Sequence, residues 1–168
     1  MKTLKYLAGY STSVTDQVHK LIDNDKLGEL LLKKYPVTHD INTDKALYSY
    51  VIDKKNQFLR QSSPLSKVVY DDKIDSVHQA LGLHTFVSRV QGGNLKAKNE
   101  IRIGSVFKQA APEFLSMIVA HELAHLREKD HNKAFYKLCE YIEPDYRQLE
   151  FDTRLYLTYL DIFGKLNA

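Results

Sequence analysis

The chain has 168 residues, 43% hydrophobic and 27% charged, with a formal net charge of +3. That length and composition fit one globular domain with a real core, and exclude a disordered or fibrous chain. No apolar run is long enough to span a membrane or to form a signal peptide, and a charge of +3 is no nucleic-acid footprint by itself. The single cysteine, Cys139, excludes an internal disulfide and fits a reducing compartment, so a cytoplasmic protein is expected. Cys139 itself reads as a packing residue.

Residues 1–60 read as helical. Val14, Val18, Leu21 and Ile22 recur at helical spacing after a capping-type start at Ser13 and Asp16. Leu27, Leu30 and Leu31 predict a second short helix that stops before Tyr35-Pro36. Asn42 or Thr43 caps a longer helix with Leu47, Val51 and Phe58 on one face and Tyr48 and Tyr50 at the core edge. Gln61-Ser62-Ser63-Pro64 is a loop between this part and a mixed part over residues 65–168. With no long flexible linker between them, a single domain over residues 1–168 is expected.

Three strand candidates follow: Lys67 to Tyr70, His84 to Val90, and Asn99 to Ile103, the last two joined by a Gly92-Gly93 turn. Ile101 and Ile103 alternate with Glu100 and Arg102, giving one buried and one polar face. Pro112 suits the first turn of a helix and Glu113 its positive end.

That helix carries Ala120-His121-Glu122-Leu123-Ala124-His125-Leu126, an H-E-x-x-H motif in an apolar run. Positions i and i+4 lie about 40° apart around a helix axis and about 6 Å apart along it. His121 and His125 therefore point the same way and can grip one metal ion, with the Glu122 carboxylate in reach of a water there. The helix is apolar nearly all round, hence buried, and buried imidazoles and a carboxylate are costly unless hydrogen-bonded or metal-bound. The bland alternative is two core histidines satisfied by carbonyls.

His131 stands six residues after His125, where Asp130 or Asn132 can cap a new helix with Phe135, Leu138 and Ile142 on the inward face. A turn over Leu126 to Asp130 would bring His131 back over the metal. Three histidines and a water make a tetrahedral catalytic zinc site, with one ion per chain. The spacing also occurs in metzincins, but Glu128 stands where they have glycine, and no methionine follows the motif.

After Glu143-Pro144 a last helix carries Leu149, Leu155, Tyr156, Tyr159 and Leu160. Its acidic residues, Glu143, Asp145, Glu150, Asp152 and Asp161, read mostly as a solvated face, from which one carboxylate could orient a ligand histidine. His19, His39, His78 and His84 sit in no ligand spacing and read as surface or packed imidazoles.

From Pro112 to Tyr146 the pattern His-Glu-Leu-Ala-His-Leu, then His131, Ala-Phe-Tyr and Pro-Asp-Tyr resembles the YgjP-like metallopeptidase family of small zincins. Many relatives carry a Trp-Gly-Ser-Cys motif before the active-site helix. This chain has no tryptophan and reads Ser88-Arg89-Val90-Gln91-Gly92-Gly93 there.

The expected fold is α+β and zincin-like, with helices packed on a small, mainly antiparallel sheet. The expected chemistry is zinc-dependent hydrolysis of a peptide or small molecule. His121, His125 and His131 bind the ion, and Glu122 is the general base. The resemblance implies a peptidase; the residues alone give only a hydrolase. Candidates to help bind substrate or share its charge are Arg102, Tyr146, Arg147 and Arg154. An extended peptide would pair along the strand Asn99 to Ile103. The alternatives are a metal-dependent nucleotide phosphohydrolase, with Arg89, Lys96, Lys98, Arg102 and Lys108 holding phosphates, a DNA-associated protease, or a non-enzymatic partner protein with structural zinc.

Overall fold

The computed structural model describes residues 3–74 and 99–166. A 3-10 turn at Lys5–Leu7 precedes α1 (Thr12–Asp23), α2 (Leu27–Lys34) and α3 (Asp44–Phe58). Strands β1 (Lys67–Asp71) and β2 (Glu100–Gly104) follow, then α4 (Pro112–Ala124), α5 (Lys133–Ile142) and α6 (Tyr146–Phe163).

Local chemistry sets these boundaries. The cap of α1 is Ser11, whose Oγ accepts from the Val14 N–H at 3.3 Å, so the helix begins before the expected Ser13 start. Three consecutive hydroxyl residues, Ser11 to Ser13, make several caps equivalent on paper. Helix α2 ends at Lys34, as Pro36 requires of the residues before it. Thr43 caps α3, accepting from the Ala46 N–H at 3.1 Å. Asp44 then accepts from the Tyr70 N–H at 2.9 Å, and the Tyr70 hydroxyl donates to the Ile41 carbonyl at 2.6 Å. These bonds dock the start of α3 on β1. Burial pushes the Tyr70 hydroxyl pKa up to about 12, so it stays a donor.

Strands β1 and β2 pair in parallel, with Lys67 opposite Glu100 and Tyr70 opposite Ile103. The expected mainly antiparallel sheet is thus corrected among the described strands. Alternation of apolar and polar residues names the buried face, here Val68, Tyr70, Ile101 and Ile103, but is the same for either strand direction. The connection over residues 72–99 is long enough for the crossover that a parallel pair needs. The expected strand His84 to Val90 and the Gly92-Gly93 turn lie outside the described residues.

Helix α4 forms the middle of the core: every side chain from Phe114 to Ala124 is buried. It packs against β2, α5 and α6. Cys139 on α5 is fully buried, and burial pushes its thiol up to about 12, which matches a packing role. No helix among the described residues is long and apolar enough to cross a membrane.

Candidate metal centre

Helix α4 ends at Ala124, with His125 as its C-cap. The chain turns through Leu126 and Arg127, and Asn132 opens α5 by accepting from the Phe135 N–H at 2.8 Å. That cap sets His131 immediately before α5. His125 Nε2 lies 3.2 Å from His121 Nε2 and 3.1 Å from His131 Nε2, and the three ring nitrogens fall within 4.8 Å of one another. Phe135, fully buried, lies against all three rings, with centroids 4.9, 4.6 and 4.8 Å from His121, His125 and His131. It fixes the spacing of the triad from below. Phe135→Ala should cost about 3–5 kcal/mol of folding stability through the cavity it leaves. Chemical denaturation of the metal-free protein checks this, and an unchanged midpoint would refute the packing role.

The proton positions on two of the rings follow from their partners. His125 Nδ1 is 2.9 Å from the Glu128 carbonyl oxygen, which only accepts, so Nδ1 carries the proton and Nε2 a lone pair. His121 Nδ1 is 2.8 Å from the Tyr146 hydroxyl, which donates to Glu150 Oε2 at 2.9 Å. The hydroxyl has one proton, so His121 Nδ1 donates to it, and Nε2 again presents a lone pair. Burial lowers the His131 pKa against the opposing charges of Glu150 and Asp130, which favours the neutral ring. The two Nε2 lone pairs, 3.2 Å apart, repel one another unless a cation or a shared proton lies between them, and His131 Nε2 stands beside them. The donor set therefore fits a metal ion.

Glu122 follows His121 on α4 and is 2% exposed. Of the residues expected to meet substrate, Tyr146 is fully buried and touches His121 instead; burial and Glu150 push its hydroxyl pKa far up. Arg154 donates to the Tyr6 carbonyl at 2.9 Å and lies 3.8 Å from Glu150. Arg147 pairs with Glu140 at 2.8 Å and stacks 4.0 Å over the Tyr136 ring. Arg102 pairs on the sheet with Asp71 and Glu100, each at 3.1 Å. Lys108 lies over the Tyr70 ring at 5.3 Å, whereas Arg89, Lys96 and Lys98 lie outside the described residues. His39 is a packed imidazole, bonded to the Phe107 carbonyl and the Ile41 N–H, as its lack of ligand spacing implied. Glu150, among the carboxylates expected to offer one that orients a ligand histidine, reaches His121 through the Tyr146 hydroxyl, a link that sequence reasoning missed although the i, i+4 spacing could have signalled it.

Residues 86–153 match the family model described as YgjP-like, metallopeptidase domain. The UTP pyrophosphatase of Escherichia coli (strain K12) is 60% identical over 162 residues, covering 96% of this chain and 97% of that protein. The chain belongs to the YgjP-like family. No solved structure matches it.

Membership of the YgjP-like family places the chain among metal-dependent hydrolases. The expectation of peptide hydrolysis is corrected by the relative named as a pyrophosphatase. The finding favours the phosphohydrolase alternative. The physical reason is that H-E-x-x-H and a third histidine specify a metal and a base, while an activated water attacks either a carbonyl carbon or a phosphorus.

Proposed function

We propose that this chain is a zinc-dependent pyrophosphohydrolase that converts UTP and water to UMP and pyrophosphate. The observation that carries the proposal is the 60% identity, over 96% of the chain, to a UTP pyrophosphatase. The convergent triad supports it with a place for the metal. His121, His125 and His131 would hold the ion, in the manner of zincin sites, and three imidazole donors suit zinc. When bound, the ion supplies Lewis acidity, sharing phosphate charge and lowering the pKa of water.

The chain's own residues supply the rest. Glu122 takes a proton from the attacking water. The water oxygen bonds to phosphorus, the α–β phosphoanhydride bond breaks, and pyrophosphate leaves with the electron pair. Glu122 then returns its proton to product or solvent. Arg147 is exposed and stacks on Tyr136, whose ring lies 6.4 Å from that of His131, and in this reading it is the candidate to meet the polyphosphate.

Dialysis against a chelator should lower UTP turnover by more than about 10²-fold, and one equivalent of zinc should restore it. Turnover that survives complete metal removal would overturn the proposal.

A further inference from the structure

Along α6, Tyr146, Glu150 and Arg154 recur at every fourth position and form one stripe. The stripe starts at a metal-site histidine: Tyr146 Oη is 2.8 Å from His121 Nδ1 and 2.9 Å from Glu150 Oε2. It ends at the amino-terminal turn, where Arg154 lies 3.8 Å from Glu150 Oε1 and donates to the Tyr6 carbonyl at 2.9 Å. Tyr146 is fully buried, and the Glu150 and Arg154 side chains are only 16% and 15% exposed.

A tyrosine hydroxyl is ambivalent beside an imidazole. It can accept from Nδ1–H, which leaves a lone pair on Nε2, or donate to Nδ1, which puts the ring proton on Nε2 and blocks the metal. A carboxylate removes the ambiguity, because it accepts the one hydroxyl proton. We infer that Glu150 is a positioning residue that acts through Tyr146 to hold His121 in its metal-binding tautomer. Arg154, tied to the Tyr6 carbonyl, sets a positive charge 3.8 Å from the other Glu150 oxygen, which favours the ionised carboxylate. This rests on the three-histidine metal reading but not on the identity of the substrate.

The experiment measures zinc dissociation constants by chelator competition for the full chain, its Tyr146→Phe and Glu150→Gln variants, and the double variant. Glu150→Gln is close in shape, and its amide can either donate or accept, so the hydroxyl is no longer directed. Each single change should weaken zinc about 10- to 100-fold, as the loss of an outer-shell partner does. Because Glu150 acts only through Tyr146, the double variant should bind no more weakly than Tyr146→Phe. Nitrogen NMR of the metal-free protein gives a readout that folding alone does not move. His121 should carry its proton on Nδ1 in the parent chain and populate the Nε2–H form in Glu150→Gln. Melting of the metal-free variants separates these effects from lost stability. Parent-like affinity in Glu150→Gln, or an equal further loss on adding it to Tyr146→Phe, would overturn the inference. Failure of the metal reading would show separately, as absence of stoichiometric zinc in the parent chain.

Discussion

His131→Ala is expected to weaken zinc binding by more than the roughly 10- to 100-fold that an outer-shell loss costs, because it deletes one of three donors outright. His131 Nε2 lies 3.1 Å from His125 Nε2, and no other group of three potential ligands occurs among the described residues. The ring sits just before the Asn132 cap, is only partly buried, and belongs to no helix. Its removal should therefore leave the fold intact while emptying the site. Elemental analysis of the purified variant, with circular dichroism as the folding control, checks this. Unchanged zinc content in a folded variant would show that His131 is not a ligand.

Glu122→Gln should give the opposite separation. The change conserves shape at a position that is 2% exposed, and the residue is not one of the three convergent donors, so zinc should stay. The amide cannot take a proton from water, and turnover should fall by roughly 10²-fold or more. Metal content and UTP turnover measured on the same preparation decide it. Parent-like turnover in a zinc-loaded variant would remove Glu122 from the mechanism.

The histidine triad was legible because its geometry is mostly local. The i, i+4 pair on an apolar helix and a turn closed by a capping residue bring three histidines together with little help from distant chain. The caps were narrowed for the same reason to Asn42 or Thr43 and to Asp130 or Asn132, and the fold uses Thr43 and Asn132. What could not be read is non-local. Strand direction is not encoded in the alternation from Glu100 to Ile103, which reads the same for parallel and antiparallel pairing. Tyr146 looked like a substrate contact until α6 was packed against α4, which turned its hydroxyl to His121. Arg102 looked available until β1 brought Asp71 beside it. The reaction class was hidden for a chemical reason: the same donors and base serve a carbonyl or a phosphoryl electrophile.

The most direct test follows the products of UTP with zinc-loaded protein by phosphorus NMR, with Glu122→Gln in parallel. Stoichiometric UMP and pyrophosphate from the parent chain, and at least about 10²-fold slower formation in the variant, is the predicted result. Release of UDP and inorganic phosphate, or no UTP consumption by protein with a full complement of zinc, would contradict it.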